Sequence, residues 1–563
     1  MFLIAWPSAA FAHAILLRTE PAAQTTAAAA PAAVRLFFSE AVELAFGAVR
    51  VYDVHGNRVD TGSIRREQGD REVVAGLRPL QQGTYTVTWR VVSADAHPVQ
   101  GGFVFDVIAP SAVSPQQPPA EAGPGAAVGW GFGLVRFAWF AAFLALVGLV
   151  AVRRWVWTPA VQAVGLSQSS AALGFRRRFR RVLPWAWALL LASGALSLIF
   201  EAADASGLSL VSSASPAVLR QILGTSFGHL WAASMALTLL AAVPVLALAG
   251  ERTVWGLAPK RWIVVLGALA VALAVVSALN GHARTQADPV MAVPSLAVHL
   301  LAVAVWVGGL AALIALAGPA WRLIPPGDRG PFVRQLIGRF GRLAVAAVLV
   351  IIATGVVNAF TDLASVSDLW QTSYGQLVTA KVVLLAAALA LAARHRYALP
   401  PKLTDASTAQ ATTRSFGRTG AAEVAVLVVV VALASALVAL VPGRSLGLGL
   451  QGSGARGSEP LIQTRSAGAY TVQAFADPGT LGTNEIHLTF FDARGLGAGN
   501  IQNAAAALAR GGSAAKSVPV RLLAPGHFVA DVSFEAPGEY ALAVTTKRGP
   551  PAISVTFRFQ ISR

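Results

Sequence analysis

Two stretches of the chain alternate apolar and polar residues, and a long apolar region separates them. The alternating stretches are residues 13–108 and 455–563, with runs such as GTYTVTWRVVS in the first and GEYALAVTT in the second. A period of two is typical of strands that bury one face, and several short strands divided by turn residues indicate antiparallel sheets. We therefore predict an N-terminal Ig-like β-sandwich and a C-terminal β-sandwich-like domain. In the second domain, His487 and His527 are interpreted as residues on solvent-facing strand positions.

The middle of the chain, residues 128–442, contains apolar runs that are long enough to cross a bilayer as helices. Eight such runs occur, near residues 128–152, 182–200, 226–249, 262–280, 292–317, 338–360, 375–393 and 421–441. The middle region is therefore predicted to be an eight-helix α-helical transmembrane bundle. The whole chain is predicted to be a multi-domain membrane protein.

The charge of the loops predicts the orientation of this bundle. Lys and Arg residues number 7, 3, 5 and 5 in the alternate loops 153–181, 250–261, 318–342 and 394–420. They number 1, 1 and 0 in the intervening loops 201–225, 281–291 and 361–374. By the positive-inside rule the basic loops are cytoplasmic, which puts both terminal domains outside the cytoplasm. The predicted location is the bacterial cytoplasmic (inner) membrane, with the chain crossing it as a multi-pass protein.

Residues 1–12, MFLIAWPSAAFA, are similar to the end of a signal peptide. The apolar stretch ends in AFA, a small-x-small cleavage pattern, although the usual basic segment ahead of it is missing. Cleavage after Ala12 would make His13 the first residue of the mature chain. Residues 109–127 and 443–454 are predicted linkers, because they are rich in small residues, Gly or Pro.

The composition agrees with this architecture and excludes several classes of site. Only 13% of the residues are charged and the mean hydropathy is +0.60, whereas soluble domains carry about 25% charged residues. The net charge of +17 is concentrated in the short basic loops, so we expect no nucleic-acid partner. The absence of cysteine excludes disulfides, thiolate zinc sites and Cys-held iron–sulfur clusters. The nucleotide-binding sequence G-x-x-x-x-G-K-[ST] does not occur either.

The first domain contains a set of nitrogen and oxygen donors. A mature N-terminal His13 supplies an α-amine and an imidazole, and Asp95-Ala96-His97 places a carboxylate and an imidazole on one face of an extended segment. Such a set favours Cu(II) over Cu(I), which prefers the sulfur of Cys or Met. The alternative is that His13 belongs to a disordered tail and His97 is an ordinary loop residue.

Three histidines lie near one side of the predicted bundle. His229 is near the start of the third run, His282 follows the fourth, and His299 lies about two turns into the fifth. Polar residues within membrane helices are costly and usually functional. These histidines are candidates for a metal path through the bundle. A helix–helix hydrogen bond is the alternative for each of them.

Four other positions are associated with this candidate path. Trp306 is near the same face of the fifth helix as His299, and Asn358 lies one turn after Thr354 near the end of the sixth. Lys381 lies about two turns into the seventh run. It can extend outward to the membrane surface, hold an anion or neutralise an internal carboxylate. Because the helices contain few acidic residues, we expect one of the first two roles rather than the third.

The first domain resembles the copper-resistance protein C (CopC) family over nearly its whole length. The similar segments are HAILLRTEPAAQT, VRLFFSEAVE and GTYTVTWRVVSADAHPVQGGFVFDV. The resemblance implies that the mature N-terminal histidine and the Asp-x-His pair bind Cu(II), which corresponds to His13, Asp95 and His97. Some family members also have a Met-rich Cu(I) site, but this domain contains no methionine after Met1.

Residues 128–442 resemble the copper-resistance protein D (CopD) family of polytopic membrane proteins. The similar segments are FGHLW, LNGHA, PSLAVHLLAVAVWVGGL and SYGQLVTAKVVLLAAALAL. These motifs are less specific, because apolar helices match one another easily. In FGHLW, His229 stands where this family often has Arg. The resemblance implies copper import or transfer without fixing individual ligands in the membrane.

The sequence therefore predicts a copper-binding membrane protein of copper homeostasis or resistance. We expect it to capture Cu(II) outside the cytoplasm and to import or transfer it through the bundle, and we expect no enzymatic activity. The partners implied are copper ion, the lipid bilayer, and an extracytoplasmic copper chaperone or reductase. Two alternatives stay open: a haem-binding or redox membrane protein, which paired intramembrane histidines would serve, and a copper sensor without transport.

Overall fold

The computed structural model has two β domains, and a set of long helices separates them along the chain. The structure describes residues 16–561 except for 23–24, 39, 45–47, 94–97, 112–125, 252–253, 256, 285, 287, 322, 364–365, 367, 372, 398–405, 439–460, 469, 478–480, 492–497, 499–500, 502, 525 and 547–552. Residues 199–226 group with the two β domains in one compact unit, whereas residues 131–198 and 227–443 form another.

The N-terminal domain is a β-sandwich of two four-stranded sheets. Its strands are β1 (Leu16–Glu20), β2 (Thr26–Ala27), β3 (Ala33–Phe38), β4 (Val49–Tyr52), β5 (Asp60–Glu67), β6 (Glu72–Leu77), β7 (Gly83–Val92) and β8 (Pro98–Val107). The strand orders are β1-β3-β6-β5 and β2-β8-β7-β4, and only the short β2–β8 pair is parallel among these described strands. The sandwich fold predicted from the alternating pattern is confirmed.

Alternation along the strands explains the core of this domain. In β7, Tyr85, Val87, Trp89 and Val91 are buried and face the same side, because successive side chains of a strand point to opposite faces. Trp89 packs edge-on against Phe38 of the other sheet, with ring centroids 5.4 Å apart.

Eight helices among the described residues are long and apolar enough to cross a membrane. We call them membrane helices 1 to 8: Val128–Ala163, Ser170–Ser206, Ser226–Gly250, Pro259–Leu279, Pro289–Ala320, Gly327–Asp362, Tyr374–Ala393 and Thr419–Leu437. Each overlaps one predicted apolar run, so the predicted number of helices is confirmed. Helices 7 and 8 are parts of the longer helices Ser373–Tyr397 and Ala406–Leu437.

Several helices are longer than the apolar runs that predicted them. Helix 2 begins at Ser170 and includes the Arg-rich segment 176–181, which the sequence pattern places in a loop. Arginine favours helices, and its long side chain can reach the membrane surface while the backbone stays helical. Short helices at Leu210–Ser213 and Pro216–Leu223 connect helices 2 and 3.

Helices 1 and 5 cross at two glycines with direct backbone contact. A Cβ atom added to Gly308 would lie 1.9 Å from the carbonyl oxygen of Leu144, and one added to Gly148 would lie 2.1 Å from the carbonyl carbon of Gly308. Small residues at such crossings let membrane helices pack closely where no hydrophobic effect drives them together. Gly308 ends a π-helical turn, Ala304–Gly308.

The C-terminal domain is a second sandwich, as predicted. Its strands are β9 (Leu461–Ala467), β10 (Tyr470–Asp477), β11 (Gly482–Phe491), β12 (Ala504–Arg510), β13 (Lys516–Val518), β14 (Val520–Ala524), β15 (His527–Phe534), β16 (Gly538–Thr546) and β17 (Ser554–Ile561). They form sheets of order β14-β15-β11-β10-β9 and β13-β12-β16-β17. Residues such as Phe490, Phe534 and Phe557 fill the core between the sheets.

The prediction that His487 faces solvent is wrong. Its side chain is only 2% exposed, although it lies on the face of β11 opposite the core residues Ile486 and Leu488. Gln473 and Thr489, which pair with each other on this face, are also buried. Burial, together with the nearby positive charge of Arg521, lowers the pKa of His487 from 6.5 to about 4.

We expect the C-terminal domain to lose stability in mild acid because of His487. In the unfolded chain His487 takes up a proton near pH 6.5, whereas in the folded domain it stays neutral until the pH reaches about 4. The contribution of the neutral His487 to the free energy of unfolding is therefore fully present above pH 6.5. It decreases as the pH falls towards 4, by at most about 3 kcal/mol. Hydrogen exchange of the β11 amides, corrected for intrinsic rates, measures this loss.

The matched variant is His487→Gln, which stays neutral at every pH, and His55→Gln alters an exposed histidine of the N-terminal domain. The first should flatten the pH dependence of β11 protection between pH 6.5 and 4, and the second should leave it as it is. An equal slope in the parent chain and in His487→Gln would contradict this prediction.

Candidate metal sites

The N-terminal sandwich brings two chain segments to the same end of the domain. β3 ends at Phe38, which pairs with Leu16 at the start of β1. A few residues further along, Glu43 pairs with Val92, the last residue of β7. The start of β1 and the end of β7 therefore lie at one end of the sandwich.

The three predicted ligands of this domain lie outside the described residues. His13 precedes β1, and Asp95 and His97 belong to the connection from β7 to β8. Within the part of the chain that the structure describes, no group of three or more His, Cys, Asp or Glu side chains is arranged to hold a metal ion. The copper site at His13, Asp95 and His97 stays a prediction.

A polar cluster joins helices 5 and 6. The hydroxyl of Ser295 donates to Oδ1 of Asn358 over 2.8 Å, and Nδ1 of His299 lies 2.9 Å from Oγ1 of Thr354. Ser295 and His299 are four residues apart in helix 5, and Thr354 and Asn358 are four residues apart in helix 6. Each of these two pairs therefore lies on one face of its helix, and the two faces meet. The structure thus brings together His299 and Asn358, which the sequence associated with one path.

The hydrogen bonds around Thr354 determine which nitrogen of His299 carries the proton. The Thr354 hydroxyl donates its own hydrogen to the carbonyl of Val350, one turn back, over 2.6 Å. Because a hydroxyl has a single hydrogen, Thr354 Oγ1 is left to accept from Nδ1–H of His299. A neutral imidazole of this tautomer has its lone pair on Nε2.

A second cluster surrounds the carboxylate of Asp362, the last residue of helix 6. Tyr374 at the start of helix 7 donates to Oδ2 over 2.7 Å, and the side-chain amide of Gln286 donates to Oδ1 over 2.9 Å. Lys381 interacts electrostatically with this carboxylate and with His299. Of the roles considered for Lys381, neutralising an internal carboxylate is the one that this arrangement favours.

The other predicted path residues lie apart from both clusters. His229 is exposed and one turn into helix 3, and Trp306 is fully buried in the apolar core of the helices. The backbone of His282 belongs to a short 3-10 turn after helix 4, and its side chain lies outside the described parts of the structure.

Sequence reasoning missed Asp362 and its partners Gln286 and Tyr374. Asp362 follows the sixth apolar run by two positions, so it looked like an ordinary loop residue. Lys381 was the signal that could have found it, since a cation two turns inside an apolar helix needs a compensating charge.

Three family models match successive parts of the chain. The CopC domain matches residues 16–108, the copper resistance protein D-like N-terminal domain matches residues 127–292, and copper resistance protein D matches residues 334–437. The chain is a CopC–CopD fusion. The matches cover the first sandwich and most of the helical region, so this fusion has the domain order that the sequence predicted.

Individual relatives of the CopC–CopD fusion are also found. Copper transport protein CutJ of Bacillus subtilis (strain 168) is 29% identical over 401 residues, which cover 70% of each chain. Protein YobA of Escherichia coli (strain K12) is 38% identical over 99 residues, 17% of this chain and 80% of that protein. The crystal structure of CopC from Methylosinus trichosporium OB3b, 32% identical, covers 17% of this chain and 95% of its own, with a TM-score of 0.16.

The fusion therefore belongs to the copper resistance and transport proteins and is a multi-pass membrane protein. Its first sandwich is a CopC domain, and its membrane helices 1 to 4 and 6 to 8 fall largely within the two CopD-type matches, whereas most of helix 5 lies between them.

Proposed function

We propose that the fusion captures Cu(II) outside the cytoplasm with its CopC domain and imports or transfers it through its CopD domain. The observation that carries the proposal is the combination, in one chain, of a CopC domain with a helical domain that holds a histidine in an internal polar cluster. Copper is the cargo in this account. An extracytoplasmic chaperone or reductase is the proposed partner that supplies it or changes its oxidation state.

Cu(II) capture is assigned to His13, Asp95 and His97. The start of β1 and the end of β7 lie at one end of the sandwich, which supports a shared site for the chain start and the β7–β8 connection. The α-amine, the imidazoles and the carboxylate are donors that Cu(II) prefers in a tetragonal plane. The chain has no cysteine and only three methionines, so sulfur donors for Cu(I) are scarce.

His299 is the proposed membrane ligand because its geometry matches that of metal-binding histidines. Such a histidine usually gives its second ring N–H to a fixed acceptor, which sets the tautomer and the ring orientation. Thr354 supplies that acceptor, leaving Nε2 as the donor atom for copper. The uncharged ring does not repel a cation, and Asp362 offsets the positive charge of Lys381 nearby.

The strict alternation of basic and non-basic loops supports the proposed orientation, with both β domains outside the cytoplasm and the basic loops inside. The cytoplasmic membrane of a bacterium is the proposed location. Both β domains then meet copper before it reaches the helices.

We expect His299→Ala to reduce copper accumulation by cells that express the fusion to the background of cells without it. Thr354→Val removes the acceptor of the Nδ1–H, and loss of such a supporting group weakens metal binding by about tenfold or more. Thr354→Ser keeps the hydroxyl and is the matched control. Elemental analysis of washed cells gives the copper content.

His282→Ala completes the set, because His282 precedes helix 5 in the chain. Equal accumulation by the parent, His282→Ala and His299→Ala would remove both histidines from the copper path. Equal effects of Thr354→Val and Thr354→Ser would contradict the assigned tautomer.

A further inference from the structure

The base of the β7–β8 connection is attached to the segment that joins membrane helices 2 and 3. Val92, the last residue of β7, exchanges two backbone hydrogen bonds with Glu43, of 2.8 and 3.0 Å. The carboxylate of Glu43 in turn accepts from the backbone N–H of Ser226 over 2.8 Å. Ser226 is the first residue of helix 3.

Arg90 makes a second attachment two residues before the end of β7. Its Nε donates to the carbonyl of Ala205 over 2.9 Å, and Nη2 donates to the carbonyl of Asp204. Both carbonyls belong to the last turn of helix 2, which ends at Ser206. Burial lowers the pKa of Arg90 and the charge of Asp204 opposes this shift; an arginine stays protonated in either case.

The two attachments match the charges of the helix ends that they contact. A helix carries partial positive charge at its N-terminus, where Glu43 binds, and partial negative charge at its C-terminus, where Arg90 binds. The first N–H groups and last C=O groups of a helix also lack partners within the helix. Glu43 and Arg90 supply such partners from a separate domain.

We propose that Arg90 and Glu43 are a docking clamp that fixes the end of β7 of the CopC domain on the ends of helices 2 and 3, and that copper transfer depends on this clamp. This inference rests on the proposed function and adds the contact by which the capturing domain is held on the helices.

A crosslinking experiment tests the clamp independently of transport. Because the chain has no cysteine, Glu43→Cys with Ser226→Cys gives a single reactive pair, and a short bifunctional thiol reagent should join it within the full chain. Arg78→Cys with Ser226→Cys is the control. Arg78 is exposed and follows the end of β6 that pairs with the start of β3, at the opposite end of the sandwich from Val92.

Copper measurements on the full chain test what the clamp does. Arg90→Ala and Glu43→Ala should leave the Cu(II) affinity of the purified protein within about threefold of the parent, because neither residue is a proposed ligand. Both should lower copper accumulation by about tenfold or more, since hydrogen bonds to charged groups contribute at least such a factor. Arg78→Ala should leave the accumulation unchanged.

The results separate this inference from the proposed function. If cells with the parent chain accumulate no copper, the proposed transport function is wrong. The crosslink between positions 43 and 226 then still tests whether the CopC domain is docked on helix 3. Accumulation by the parent and equally by Arg90→Ala and Glu43→Ala would overturn the clamp. A large loss of Cu(II) affinity in these two variants, or equal crosslinking of the control pair, would overturn it as well.

Discussion

One extra residue ahead of His13 is expected to reduce the Cu(II) affinity of the mature chain by about a hundredfold. The extension converts the terminal amine into an amide, which keeps its proton at neutral pH, and metal ligands must be deprotonated. Loss of a group that only supports a ligand already lowers affinity by about 10–100-fold. Cu(II) titration of the purified chain, with and without the extension, measures the change.

The control is the extended chain after a protease has removed the extra residue, which should regain the parent affinity. His97→Ala should lose affinity to a similar degree, because it removes an imidazole from the same set of ligands. Equal affinity of the extended and the trimmed chains would show that the amine is not a ligand. A chain that binds no Cu(II) in either form would contradict the proposed capture site altogether.

Gly308→Val is expected to prevent helices 1 and 5 from packing. A Cβ at this position would lie 1.9 Å from the carbonyl oxygen of Leu144, and a backbone atom cannot rotate away as a side chain can. Overpacking of this kind costs about 3 kcal/mol or more. We expect most of the variant to aggregate on extraction, or its thermal midpoint to fall by roughly 10 °C.

Gly267→Val is the matched control, because Gly267 also lies within a membrane helix and has no atom within 4 Å of an added Cβ. Both substitutions introduce the same β-branched side chain into a helix, so their difference isolates the contact. Size-exclusion chromatography and a thermal scan in detergent compare them. Equal yields and midpoints for the two variants would contradict the close crossing.

The features that depend on local pattern could be predicted from the sequence. Eight apolar runs were sufficient for eight helices, because a bilayer sets the length that each must have. The two-residue alternation around Trp89 was sufficient for a buried strand. The helix ends were less accurate, since the Arg residues at 176–181 leave the apolar run without leaving the helix.

The features that depend on which elements meet could not be predicted. His487 occupies a position that alternation assigns to solvent, yet both faces of its strand are buried. The partners of Asp362 come from the start of helix 7 and from the turn before helix 5, which no spacing within one helix reveals. For His299 the sequence placed Thr354 and Asn358 on one helix face, but only the structure shows that this face meets helix 5.

The glycine crossing also limits how the helical domain can change shape. Helix 5 carries His299, and its backbone touches that of helix 1 with no side chain between them. Sliding one helix past the other would bring their peptide groups into collision, so helices 1 and 5 must move together as one rigid body. Movement of helix 6 away from this pair would have to break the hydrogen bond between His299 and Thr354.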